Sequence, residues 1–409
     1  MERQFSILQT VVLAGFWALV VATLPLWIGG TSFPAVPFVE VLVHIPIWVD
    51  QSLLAALAIA SLWTVWKQRR TAPRMLTVAF LVAMILLNQH RFQPWAYLTA
   101  VQLVVLSSKD HRLSFRLLRM VCVAVYLFSA ISKVDHVFFH HLGERLVDTS
   151  FDLLGMNPHL MAVENKRWMV WALPLGEFLV GLGLCWPYSR QWAVGLAIVL
   201  HATLFTILGP FGLNHHVGVL MWNVLFAVEV VLLFGFKLPS DDEVEPETRG
   251  IFDRIAVAIC ALCCALPVFE ITGSFDHWPA WSLYSDRREI VELLVENDEA
   301  VKLPGVLIRH LGPPQPFQSW RRLYLEQYSL DETRAPIYPE DRFQIAVAAQ
   351  IVRDYDLGNE DGRIKLIVRE LPNRRTGERT TAEYVGRKGI QESLQRFRLN
   401  TTARTLLRE

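Results

Sequence analysis

Residues 126–143 read YLFSAISKVDHVFFHHLG, an apolar helical run that carries Lys133 at its end and then crowds Asp135, His136, His140 and His141 together. The run closes a longer apolar stretch, 114–133. About 20 such residues are enough to cross a hydrocarbon layer as a helix. Working outward, similar stretches recur near 8–29, 48–66, 75–88, 95–108, 168–187, 191–208, 215–236 and 251–272, of which 75–88 and 95–108 are short. With 53% hydrophobic residues among 409, the first two thirds of the chain are too apolar for a water-soluble core. The fold class expected is an all-α polytopic membrane bundle of about nine transmembrane helices, followed by a small C-terminal α+β domain outside the membrane.

Three segments divide the chain: a transmembrane domain at 1–239, a linker with the last helix at 240–272, and an extracytoplasmic domain at 273–409. The first span has only Arg3 before it and no small-residue cleavage site after it, which favours a retained helix over a signal peptide. Between the first two spans, GTSFPAVPFVEVLVHIPIWVD is interrupted by proline and is expected to run along the membrane surface. Short basic loops stay in the cytoplasm. KQRRTAPR (67–74), SSKDHRLSFR (107–116) and YSRQ (188–191) fall in alternate loops, which places the N-terminus in the cytoplasm and everything after about 273 outside. The acidic stretch SDDEVEPETRG (240–250) reads as a cytoplasmic linker.

The same alternation collects three polar clusters at the outer face: NQHRFQPW (88–95), KVDHVFFHHLGER (133–145) and GPFGLNHH (209–216). They bring Asn88, His90, Arg91, Trp95, Lys133, Asp135, Asn214 and His215 forward as candidate binding or catalytic residues. Deeper, Glu177 and His201 fall near the midplane of their spans. Ionisable groups at that depth face the bundle interior. The two either mark a proton or ligand path or tie two helices together by a structural hydrogen bond, and both readings stand. Asn223 lies at comparable depth, and Glu229 lies deeper towards the cytoplasm. A lysine at the end of an apolar helix has its charged form disfavoured, which is what makes such an amine basic near neutral pH.

The stretches HRFQPWAY (90–97), YLFSAISKVDHVFFHHLGERL (126–146) and GEFLVGLGLCWPYSRQWAVGLAIVLHATLFTILGPFGLN (176–214) resemble the horizontally transferred transmembrane domain shared with vitamin K-dependent γ-glutamyl carboxylase. The likeness covers roughly 8–236. It implies that Lys133, in SKVD, is a base that takes a proton from a reduced, vitamin K-like quinone, with oxygen and carbon dioxide as co-substrates and no metal. It also implies that His201 belongs to the same site. Partners are then the lipid bilayer and a lipophilic quinone, with the outer domain as the place where a protein partner or substrate docks.

Two other classes of function compete. One is a non-enzymatic membrane scaffold or redox accessory subunit. The other is a metal oxygenase, because HVFFHH places His136 and His140 on one helical face with Glu144 a turn further on. The five cysteines, Cys122, Cys185, Cys260, Cys263 and Cys264, all fall inside apparent spans and read as small buried hydrophobes. No Walker loop, dinucleotide fingerprint, HExxH or nucleophile elbow is present. The tail is balanced in sign, which removes an electrostatic case for nucleic acid. In it, 288–297 and 362–371 read as strands with a return strand at TTAEYV, and 341–355 and 390–397 read as helices. Trp278 and Trp281 suit the membrane interface, and Asn400 sits in a glycosylation pattern.

Overall fold

A computed structural model describes residues 2–158, 161–236, 250–358 and 362–404. The acidic linker read at 240–250 falls, but for Gly250, outside the described residues. The helices of the first part are α1 (Glu2–Ala22), α2 (Leu24–Ile28), α3 (Ile47–Trp66), α4 (Thr71–Leu87), α5 (Pro94–Val105), α6 (His111–Ser132), α7 (His136–His140), α8 (Leu142–Leu153), α9 (Val163–Val170), α10 (Ala172–Cys185), α11 (Arg190–Leu208), α12 (Val217–Phe234) and α13 (Ile251–Ala265). Among the described residues seven segments are long and apolar enough to cross a membrane: α1, α3, α6, Val163–Cys185, α11, α12 and Ile251–Thr272.

The two short spans, α4 with 17 residues and α5 with 12, are shorter than all seven of these segments. Pro94 starts α5 and the Ser107–Ser108 turn ends it, so its 12 residues rise only about 18 Å. That is well short of a bilayer core. Instead α5 is enclosed by the bundle, with Trp95, Leu98, Val101 and Val105 in the main core. Large exposed apolar residues ring the outside, with Trp48 and Trp168 at one end of their helices and Trp66, Trp186 and Trp192 at the other. This is the pattern of a surface that meets lipid between two aromatic belts. Of the cysteines, Cys122, Cys260 and Cys263 are buried as read, while Cys185 is exposed on this outer surface.

The C-terminal part contains β1 (Ile290–Glu296), α14 (Asn297–Ala300), α15 (Gly305–Ile308), β2 (Trp320–Leu323), α16 (Leu325–Thr333), α17 (Asp341–Asp354), β3 (Ile364–Arg369), β4 (Thr381–Val385) and α18 (Gly386–Leu394). Its sheet is antiparallel in the order β2-β1-β3-β4. Alternation sets the faces: Ile364, Leu366 and Val368 of β3 point inward and register with Val295, Leu293 and Val291 of β1. α17 is buried continuously from Arg342 to Val352, because the sheet covers one side and the bundle's connecting segments cover another.

Within residues 30–50, the part around 33–37 packs against the C-terminal domain, while Val39, Val41 and Trp48 stay exposed. Phe33 and Val36 belong to the core of the C-terminal domain. Asn400 and Arg404 return along the same segment, with Arg404 N–H donating to Ala35 O at 2.8 Å. The Asn400 amide nitrogen donates to Pro37 O and Thr402 O, both at 2.9 Å, so the glycosylation pattern is committed to packing in the folded chain.

Candidate functional site

Lys133 follows directly on α6, with Ser129 and Tyr126 on the same helical face one and two turns earlier, respectively. Asp135 caps the next helix through Phe138 N–H at 3.0 Å, so the chain turns sharply just after the lysine. The lysine side chain therefore folds back along its own helix. Its Nζ is fully buried and donates to Ser129 O at 3.0 Å, Ser129 Oγ at 2.7 Å, and Glu177 Oε1 and Oε2 at 3.1 and 2.9 Å. Glu177 comes from α10, which lies close to α6 because residue 181 is glycine. A Cβ there would sit 2.8 Å from Leu127 Cδ2 and 3.3 Å from Tyr126 Cβ.

The expected pairing of Glu177 with His201 is not what forms. Glu177 takes Lys133, and His201 binds Tyr126 and Asn223. The Tyr126 hydroxyl lies 2.7 Å from His201 Nε2, and His201 Nδ1 lies 3.1 Å from Asn223 Oδ1. Asn223 Nδ2 donates to Val219 O and to the Tyr284 hydroxyl. That amide orientation makes Oδ1 an acceptor, so His201 carries its hydrogen on Nδ1 and accepts from Tyr126 through Nε2. Two polar units thus share one face of α6: the Lys133–Ser129–Glu177 group and the Tyr126–His201–Asn223–Tyr284 chain.

Tyr284 closes this arrangement from above. It and Trp281 hold left-handed backbone at φ 56° and 60°, a conformation that L residues with bulky side chains adopt only under constraint. Ser285 Oγ donates to Ser132 O at 3.1 Å, which fastens the segment over Lys133. On its far side lies a cavity of about 320 Å³, lined by Trp95, Trp222, Trp278 and Leu283 with His215, His216 and Tyr284 among the polar groups. Burial pushes both His215 and His216 down from the ordinary imidazole value, assisted by Arg145 and Arg334 respectively, so both are neutral. Trp95 and His215 line this cavity, while Lys133 is not among its lining residues.

Other members of the three outer clusters do not converge with Lys133. Asn88 caps the 3₁₀ turn at Gln89–Arg91, accepting from His90 N–H at 3.1 Å. His90 is buried against Phe33 and Phe343, and its Nε2 lies 2.9 Å from Pro336 O. A carbonyl only accepts, so Nε2 is the protonated nitrogen. Arg91 binds Asp50 at 2.5 Å, and Arg404 binds the same carboxylate at 2.6 Å. These residues join the C-terminal domain to the bundle. Asn214 holds φ 49° in the turn before α12, a left-handed position that asparagine tolerates; its role there is conformational. Asp135 is committed to its cap and faces Arg374 and Arg287, and burial raises its pKa in spite of them.

Sequence reasoning missed Tyr126, Ser129 and Tyr284. The spacing of Tyr126, Ser129 and Lys133 was a usable signal, since all fall on one stripe of α6. Nothing in a loop sequence marks Tyr284. Trp281 was placed at the lipid interface, but it is fully buried and its Nε1 donates to Cys263 O at 3.2 Å. Trp278 is half-buried and meets Tyr338 edge to face, with ring centroids 5.2 Å apart. His136 and His140 do stack, at 3.9 Å between ring centroids, but among the described residues no carboxylate or cysteine joins them in a metal-binding group.

Compared with protein-family models, with curated proteins and with solved structures, the chain matches none of them.

Proposed function

We propose that the protein is a membrane-embedded enzyme whose site lies where α6, α10, α11 and α12 meet the segment around Tyr284, with Lys133 as base and a reduced quinone as co-substrate. The observation that carries this reading is the Lys133–Glu177 pair. Taking two charges out of water costs several kcal/mol per ion before they attract one another, and apolar residues of similar size usually serve packing as well or better. A helix contact alone gives no reason to keep the pair.

Chemistry does give a reason. Passing a proton from Lys133 to Glu177 leaves a neutral amine beside a neutral acid, the form able to take a proton from a hydroxyl group. The aromatic lining of the cavity, with neutral imidazoles at its edge, suits a flat lipophilic ring. By the resemblance, the deprotonated quinol reacts with oxygen to give a stronger base that removes a carbon-bound proton, and carbon dioxide adds to that carbon. Excluding water protects such a carbanion. The segment holding Tyr284 and Ser285 stands between cavity and amine, so turnover requires it to move. The distribution of lysine and arginine in the loops supports a cytoplasmic N-terminus and an external C-terminal domain.

A second reading, a non-enzymatic scaffold or redox accessory subunit, draws on one observation: every Lys133 proton has an acceptor and the amine does not line the cavity. The double variant Lys133→Met/Glu177→Met separates the two, because it removes both charges at nearly constant volume and keeps the bundle folded. Oxygen uptake by purified protein on addition of a reduced naphthoquinol is the readout. Wild type is expected to consume oxygen and the folded double variant to consume none. Equal uptake by both rejects Lys133 as the base, and no uptake by wild type leaves the scaffold reading in possession.

A further inference from the structure

A second group of ionisable residues lies beside the cavity and reaches it through His277. His277 lines the cavity, and His277, Glu289 and Glu340 each bring one donor atom within 4.8 Å of the others. A point between three atoms so placed lies within about 2.8 Å of each, 4.8 divided by the square root of three. Metal–ligand bonds from imidazole and carboxylate are about 2.0–2.2 Å. Side-chain movements of about 0.7 Å complete coordination on that scale.

The hydrogen bonds around His277 are those of a metal ligand. Its Nε2 lies 2.5 Å from Arg287 O, and since a carbonyl only accepts, Nε2 carries the hydrogen. That leaves Nδ1, 3.2 Å from Glu340 Oε1, as the nitrogen with a lone pair to give. A ligating imidazole usually donates its other N–H to a carbonyl or carboxylate in this way, fixing tautomer and ring orientation. A lone pair facing a carboxylate oxygen needs a positive charge between them, either a proton or a metal ion.

Glu289 indicates that a proton on His277 does not satisfy the whole group. Its Oε2 is buried without a hydrogen-bond partner among the described residues. The neighbouring carboxylates are each served: Glu270 by Arg287 and Arg374, Asp276 by Arg342, and Asp341 by Arg396. Glu340 has the His277 backbone N–H at 2.9 Å, with Arg342 at 3.9 Å. Among the described residues Glu289 Oε2 is thus the carboxylate oxygen of this group left without a hydrogen bond, with Arg379 acting on it through charge alone, and Glu289 brings an oxygen within 4.8 Å of the Glu340 and His277 donor atoms.

We propose that His277, Glu289 and Glu340 form a binding site for a divalent transition cation of the zinc class, with the remaining coordination position open to the cavity. One nitrogen and two carboxylate oxygens suit such an ion better than calcium or magnesium, which prefer all-oxygen shells. Three protein ligands with one position left open is the arrangement of metal sites that act on bound water or substrate. Without the ion the group holds a proton instead. Burial would lower the His277 pKa, but Glu340, Glu289 and Glu270 outweigh it and raise it to about 9, while burial raises Glu289 to about 7 despite His277. Metal binding therefore releases protons. Sequence spacing gives no hint of the site, since its ligands are separated by 12 and 51 positions in no known motif.

The test uses the full chain in detergent, stripped with a chelator and titrated with Zn²⁺ against a chromophoric competitor. Wild type is expected to take up one equivalent with release of protons and to unfold at higher temperature with Zn²⁺ than without. Glu289→Gln keeps the shape and breaks no hydrogen bond made by Oε2. It is expected to weaken binding at least about ten-fold and to abolish the thermal shift, while folding normally in chelator. His140→Gln, which alters the stacked surface pair, is expected to change nothing. Substoichiometric uptake by wild type, undiminished binding by Glu289→Gln, or equal loss in His140→Gln each overturns the proposal.

Discussion

His90 shows how one side chain can belong to the seam of a protein rather than to its site. It is buried, bonded to Pro336 O, and its Nδ1 has no hydrogen-bond partner among the described residues. Burial, with a smaller contribution from Arg91, pushes its pKa down to about 4 against the pull of the Pro336 carbonyl. A folded-state value below the unfolded value of about 6.5 means that the folded chain prefers the neutral ring. The stability so gained is complete above pH 6.5 and is lost as pH falls towards 4. Across that window wild type is expected to lose on the order of 2–3 kcal/mol relative to His90→Gln, measured as the difference between their denaturant midpoints at pH 7 and pH 4.5. From sequence alone His90, Arg91, Lys133 and His201 look alike, as polar residues in an apolar context. What separates them is whether the partner lies in the bundle or in the domain that closes over it. The partners lie 41, 44 and 75 positions away for Arg91, Lys133 and His201 and 246 away for His90, separations that local pattern does not carry.

At the scale of elements, the meeting of Lys133 and Glu177 depends on how near α10 comes to α6. Gly181→Val adds atoms where a Cβ already meets Leu127 at 2.8 Å. It is expected to cost about 1–3 kcal/mol by overpacking and to reduce quinol-dependent oxygen uptake in the protein that remains folded. Gly195→Val on α11, where a Cβ meets nothing within 4 Å, is the control and is expected to be near neutral in both thermal unfolding and uptake. The long elements were legible because periodicity is local: the strands at Ile290–Glu296 and Ile364–Arg369 and the helix at Asp341–Asp354 lie where alternation and helical spacing put them. β2 was not legible. WRRL is four residues long and half charged, its outer side is met, among the described residues, only by the short stretch 310–312 through Gly312 N–H to Arg322 O and Tyr324 N–H to His310 O, and it has too few positions to show a period.

For the whole molecule, the boundary drawn at residue 273 is real in sequence but is crossed in space. Phe33 and Val36 complete the core of the C-terminal domain, and Trp281 and Ala335 complete the core of the bundle. Neither body buries its apolar surface without the other. The full chain in detergent is therefore expected to unfold in one transition, with near-ultraviolet circular dichroism and proteolysis of the 374–379 turn changing together. Residues 273–409 produced alone are expected to be aggregated or unfolded. Two separate transitions, or a folded fragment, would show the domains to be independent.

The shared carboxylate of Asp50 has a further consequence, for the order of assembly. Arg91 follows it closely in the chain, but Arg404 is 354 positions away. At roughly 5–20 residues per second of synthesis, the second arginine arrives about 20–70 s after the aspartate. Until then Arg91 is the only one of the two arginines present to balance Asp50, so the joint between the bundle and the end of the chain closes last.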